Sequence, residues 1–295
     1  MHQALVLVRN LKSSAEVLDF GQFEIKPVRL QFRELREVFS SFDVNQDDWL
    51  LRKSYSQLPP GPPGSAVGGI PGDIEDVLLL LRLFKPHDIS FVKLAVVLPS
   101  GQPIPQPPYR AINDLNIYPA KAYAIESEEC EKWESFTART RTSQSWNSDW
   151  FGVARRLFLS GGAKPFNPNW DDVDRILDYV TALEATLVPE PKYNRRRISR
   201  RAAALIEPNG PGTEGIINFM KRLYDVRSQI VHGRKISSED RRWLAQNHPA
   251  IETNVRRILQ TALEKLPPGE EDRLVALAKL YDPIDEEFNK SSGQE

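Results

Sequence analysis

Prolines and glycines break the second half of the chain at short intervals. Between them, apolar residues recur every three or four positions, and this pattern limits what that half can become. Six stretches carry the helical spacing: 149–159, 171–187, 196–206, 213–232, 249–266 and 270–281. The gaps hold Gly161, Gly162, Pro189, Pro191, Pro208, Gly210, Pro211, Pro267 and Pro268. Connections this short favour antiparallel neighbours, so the spacing predicts an all-α, up-and-down bundle.

The first half reads differently. Residues 4–8 form a short aliphatic, β-branched run and 20–28 alternate apolar with polar, both strand-like. Phe32, Leu35, Val38, Phe39 and Phe42 fall at helical spacing over 30–42. The stretch 58–72 is rich in proline and glycine and reads as a mobile loop. Asp73 is the expected N-cap of a helix over 74–84, whose leucine run Leu78–Leu81 marks it as core. A strand follows over 89–98, then a proline-rich extended loop over 103–108 and a helix over 127–139. The expected architecture is an α+β domain over 1–140 followed by the helical bundle over 141–295. At 295 residues, two domains are the first expectation.

One helix end in the bundle carries candidate chemistry. Leu223-Tyr-Asp-Val-Arg-Ser-Gln-Ile-Val-His-Gly233 holds Arg227 and His232 before a glycine suited to the left-handed closing position. Arginine grips an oxyanion through a planar fork, and histidine titrates near neutrality and can carry a proton. The spacing by itself is common here, since Arg82/His87 and Arg242/His248 also fit. Pro86 interrupts the first of these, and the second lies in a polar stretch that reads as a helix end or loop. Only the third has an apolar helical stripe: Ile216, Phe219, Met220, Leu223 and Ile230. The alternative is a packed helix end in which Arg227 caps a neighbouring helix.

Three segments occur in order: Asp174-Arg-Ile-Leu-Asp-Tyr-Val-Thr-Ala-Leu-Glu184, Ile198-Ser-Arg-Arg-Ala-Ala-Ala-Leu205 and the string ending at Gly233. Together they resemble the HEPN superfamily, most closely its Apea-like group, over roughly residues 145–285. The resemblance implies a small helical bundle that usually dimerises. Many members are metal-independent endoribonucleases using an arginine, four to six residues, then a histidine; others are inactive interaction modules. Arg227 and His232 match that motif. Ser228 stands where the family often has Asn, Asp or His, and it still offers a hydroxyl. The Apea-like likeness further implies a toxin or phage-defence setting.

On an ideal helix Arg227 and His232 lie about 140° apart, while Ser228 and His232, and Tyr224 and Arg227, are surface neighbours. RNA transesterification wants one group to take the 2′-OH proton, another to protonate the leaving oxygen, and positive charge for the phosphorane. One chain offers a single histidine in the motif, whereas a two-fold homodimer offers two histidines and two arginines. Tyr224 either stacks or donates to the substrate, or packs an interface. Glu184 either orients Arg227 or His232 or is an exposed helix residue. Lys192, Arg195, Arg196, Arg197, Arg200 and Arg201 are a candidate track for RNA phosphates; the alternative is a solvated face, or partners for the acidic tail. Solvent access separates the readings: catalytic side chains should line an open groove, and structural ones should be packed and satisfied.

Several classes are excluded. Walker, dinucleotide, nucleophile-elbow and HExxH motifs are missing. Cys130 is the lone cysteine and the four histidines are scattered, so neither a disulfide nor a metal site is expected, and no cofactor. The six tryptophans are scattered too, as core or interface residues are. No apolar stretch is long enough for a membrane span or signal peptide, so the expected compartment is the cytoplasm. The expected partners are RNA, a second copy of the chain, and a protein trigger or inhibitor at the first domain. A second function class stays open, a non-catalytic module that binds nucleic acid or protein, as does a third, a nucleotide sensor.

Overall fold

The computed structural model describes residues 1–30, 35, 38–39, 44–85, 89–105, 123–164, 173–189, 194–208 and 210–280. It divides into two compact units, Met1–Ala138 and Arg139–Glu295. The first is α+β and the second a helical bundle.

In the first unit, β1 (His2–Arg9) lies at the heart of an antiparallel sheet, between β5 (Trp49–Tyr55) and β6 (Ser90–Val97). Ala4 to Val8 are all buried, as expected of a strand covered on both faces, which reads as an unbroken apolar run. β3 (Leu18–Asp19) and β4 (Glu24–Pro27) extend the sheet beyond β5, and β7 (Pro103–Pro105) extends it beyond β6. β2 (Leu11–Lys12) pairs in parallel with β8 (Tyr123–Ala124). Helix α1 (Ile70–Phe84) packs on β6, and its leucines 78–81 are all buried. From Val77 to Leu83 every residue is buried, so this part of the helix lies in the interior. Phe20 and Phe23 stack on each other and meet the indole of Trp133, on α2 (Ser127–Arg141), edge-on, with ring centroids 4.7 to 5.1 Å apart.

Four features depart from the sequence reading. Strand β5 was not expected, because Lys53 occupies an inward position that a core strand normally gives to an apolar residue. It is tolerated because Lys53 Nζ meets Asp73 Oδ2 at 2.6 Å, and Tyr55 Oη donates to the same oxygen at 2.7 Å. Asp73 is therefore not the N-cap. The helix starts at Ile70, with Pro71 in the first turn where its missing N–H costs nothing. The 58–69 loop closes on itself, Gly69 N–H donating to Pro59 O at 2.8 Å; a Cβ at Gly69 would stand 1.9 Å from Pro60 O. Finally, residues 103–105 form an edge strand rather than a loop, and a sheet edge is a position that accepts prolines.

Of the helix expected over 30–42, Leu35, Val38 and Phe39 are described; all three are helical, and Leu35 and Phe39 are buried. The rest of that segment after Leu30, with His87 and residues 106–108, lies outside the described residues.

The second unit comprises α3 (Asp149–Ala163), α4 (Asp174–Leu187), α5 (Asn194–Ile206), α6 (Thr213–Val231) and α7 (Ser238–Lys265), with a further helix over 270–280. Each of α3 to α5 packs on its successor, α4 also touches α6 and α7, and α5 touches α7. Phe151, Phe158, Ile176, Tyr179, Leu183, Leu223, Val226, Val255 and Ile258 are among its core residues. Arginines, buried in every case but the exposed Arg257, close the helix ends, where the last carbonyls lack intrahelical partners. Arg175 donates to Lys164 O at the end of α3. Arg201 reaches Leu187 O and Arg273 reaches Ala185 O, both at 2.7 Å, at the end of α4. Arg257 reaches Ile206 O at 3.1 Å, at the end of α5.

Pro249, expected to begin a helix, lies inside α7. Leu244 before it and Ile251, Val255 and Ile258 after it are all buried, so packing carries the helix through the proline. His248 is thus a mid-helix residue, not a loop residue. Its Nε2 stands 2.9 Å from Arg175 Nη1; guanidinium has no acceptor, so Nε2 accepts.

Candidate functional site

The site is assembled by three helices. Glu184 is in the last turn of α4, Asn194 opens α5, and Tyr224 and Arg227 lie one turn apart on α6. Arg227 Nη2 donates to Glu184 Oε2 at 2.7 Å, with 20% of the arginine side chain and 15% of the glutamate side chain exposed. Asn194 Nδ2 donates to the other carboxylate oxygen at 3.4 Å. The Arg227 guanidinium carbon stands 5.7 Å from the Tyr224 ring centroid, within cation–π range. Burial, and then the negative charge of Glu184, raise the Tyr224 phenol above its ordinary value, so its hydroxyl remains a donor at neutral pH.

Glu184 therefore holds Arg227 rather than pointing to solvent. The arginine does not cap a neighbouring helix, the role taken by Arg175, Arg201, Arg257 and Arg273. Among the described residues, the bond to Glu184 is the only one its five N–H donors make, and Nε is buried without an acceptor.

His232 is exposed at the C-cap of α6. Gly233, at φ +64°, donates to Ile230 O at 3.0 Å, and Arg234 N–H donates to Gln229 O at 2.8 Å. This pair of bonds is a Schellman closure, with glycine at the left-handed position expected for it. Its Cβ would meet nothing within 4 Å, so only backbone strain opposes a side chain there. Gly233→Ala is expected to destabilise the bundle by about 1 kcal/mol, a melting shift of a few degrees measurable by calorimetry. An unchanged melting temperature would show that this closure contributes nothing.

Because α6 stays regular to Val231, His232 faces solvent while Arg227 turns inward to α4. The half-buried Ser228 is one turn before His232 and gives its carbonyl to the His232 N–H at 3.1 Å. Solvent access therefore gives a split result, an open histidine beside a largely covered arginine.

The basic run is divided by the fold. Arg195 forms a two-point ion pair with Asp225, at 2.6 and 2.7 Å. Arg196 is exposed and Arg197 half-buried. Arg200 and Arg201 are buried, so they do not share an outward face for an RNA backbone. Helix α5 turns its Ile198, Ala202 and Leu205 stripe inward, and these two arginines go with it. Lys192 lies outside the described residues, as do Asp282, Asp285, Glu286 and Glu287 of the acidic tail.

Sequence reasoning missed Asn194 and Asp225, whose roles depend on contacts between helices. It also missed Arg234 and Lys235, exposed directly after Gly233; two cations beside the motif were a legible signal. No helix among the described residues is long and apolar enough to cross a membrane.

No protein-family model, curated protein or solved structure matches this chain.

Proposed function

We propose that the chain is a metal-independent endoribonuclease of the HEPN type, similar to the Apea-like group, acting at a composite site where two copies meet. The observation that carries this reading is Arg227. It is oriented by one bond to Glu184, it has donors left over, and it sits a turn and a half before the exposed His232. One protomer holds the two side chains on faces about 140° apart. A groove between two copies of α6 supplies both groups to one phosphate, with one histidine as base and the other as acid. Ser228 and Tyr224 border that groove. Val231, an apolar residue 52% exposed next to His232, suits such a seam. The first unit would sense a trigger or recruit a partner, in a cytoplasmic toxin or phage-defence setting where cutting must be held in check.

The partial burial of Arg227 favours a second reading, in which the motif only braces a non-catalytic binding module. Incubating RNA and DNA of one sequence in EDTA and analysing the product ends decides between them. The nuclease cuts RNA alone and leaves 2′,3′-cyclic phosphate and 5′-hydroxyl ends, because the 2′-OH is the attacking group. Cleavage of DNA, or a requirement for Mg²⁺, would overturn the mechanism. Intact RNA after incubation with the dimer would favour the binding module.

A further inference from the structure

The fold leaves one concentration of cations beside His232. Between His232 and Arg242 there are four basic residues, Arg234, Lys235, Arg241 and Arg242, and two acidic ones, Glu239 and Asp240. Both acids are engaged. Arg222 binds Glu239 at 2.8 Å and Asp240 at 3.2 Å. Asp240 also accepts from Ser237 Oγ at 2.8 Å and from Gln229 Nε2 at 3.1 Å. These bonds hold its carboxyl below the usual range, against an opposing contribution from burial. Both acids also occupy the first turn of α7, where negative charge offsets the helix dipole.

Arg234, Lys235 and Arg242 are exposed, and among the described residues the side chains of Arg234 and Lys235 have no ion-pair partner. Arg241 Nε donates to Ile236 O at 3.3 Å, which places it at the same corner. The Schellman closure fixes the direction in which the chain leaves α6. Lys235 follows His232 by three residues, so their Cα atoms lie within about 11 Å.

We infer that this corner, from Arg234 and Lys235 to the start of α7, is the track for the phosphates flanking the scissile bond. The deduction rests on the ribonuclease reading and moves the track away from the 192–201 run, whose arginines the bundle largely uses internally. The contacts are to the backbone, so they position a strand without reading its sequence.

The test uses the full chain and a fluorescent, fully 2′-O-methylated oligouridylate, which cannot be cut because its 2′-OH groups are blocked. Binding is followed by anisotropy as salt rises. Each phosphate contact to a single strand contributes about 0.7 to the slope of log affinity against log salt, so Arg234→Gln/Lys235→Gln lowers the slope by about 1.4. Between about 50 and 200 mM salt, the wild type then loses about sevenfold more affinity than the variant. A wild-type slope in that variant overturns the inference, as does loss of slope in Arg196→Gln/Arg197→Gln instead. A wild type that does not bind the strand overturns it too. Cleavage of ordinary RNA in EDTA by the same preparations keeps the two proposals apart. Binding without cutting removes the nuclease and leaves the track, whereas cutting with an unchanged slope removes the track and leaves the nuclease.

Discussion

His232→Ala is expected to lower RNA cleavage by about 10²- to 10⁴-fold, the usual contribution of a positioned general acid or base. The same change is expected to leave stability within about 0.5 kcal/mol of wild type, since the side chain is exposed. Among the described residues no side chain hydrogen-bonds its ring, so nothing in the bundle is left unpaired when the ring is removed. This separation of activity from folding is a strict requirement. A variant that melts at the wild-type temperature and stays dimeric, yet no longer cuts, supports the composite site. One that cuts as fast as wild type removes His232 from the chemistry, and the cleavage would then belong to another site or a contaminant. Single-turnover cleavage, calorimetry and sedimentation on one preparation give all three readings.

Arg227 is expected to behave differently, because it is a part-buried ion-pair partner as well as a candidate phosphate ligand. Arg227→Ala should reduce cleavage by about 10²- to 10³-fold, the effect of removing one donor to a developing anion. Arg227→Lys should not rescue it, since an ammonium cannot bind Glu184 and a phosphate oxygen with one planar fork. Glu184→Ala leaves a partly covered guanidinium without its carboxylate, at a cost of about 1–3 kcal/mol in stability. Glu184→Gln keeps an acceptor at the same place and should recover most of that stability. If Glu184 positions Arg227 for catalysis, Glu184→Gln also recovers turnover relative to Glu184→Ala, with KM little changed. If the pair only braces α4 against α6, every one of these variants alters melting and none alters the cleavage rate per folded dimer. That second pattern would remove Arg227 and Glu184 from the chemistry and leave them a purely structural role.

Folding rather than chemistry explains why so few of the arginines are free for RNA. The ends of α3, α4 and α5 lie close to a neighbouring helix, within reach of its arginines. A guanidinium can donate to a helix-end carbonyl while its stem packs in the core. Arg201 and Arg273 do this together at the end of α4. In the sequence, Arg200 and Arg201 are indistinguishable from the exposed Arg196, because a charge run does not say which side of its helix the core will take.

The amino-acid sequence alone determined the features that depend on neighbours within a few residues. An unbroken aliphatic run specified β1, and an apolar run interrupted by Lys93 specified β6. Helical apolar spacing between prolines and glycines specified the bundle, and a glycine after an amphipathic stretch specified the closure of α6. Tertiary structure decided the rest. Strand β5 exists because Asp73 neutralises an inward Lys53, and α7 runs through Pro249 because both sides of the proline are buried. Arg227 meets Glu184 across 43 residues of chain. The physical reason is the range of each interaction. Backbone conformation and periodicity act over one or two turns, whereas the partner of a buried charge is known only once the helix or strand opposite it is in place.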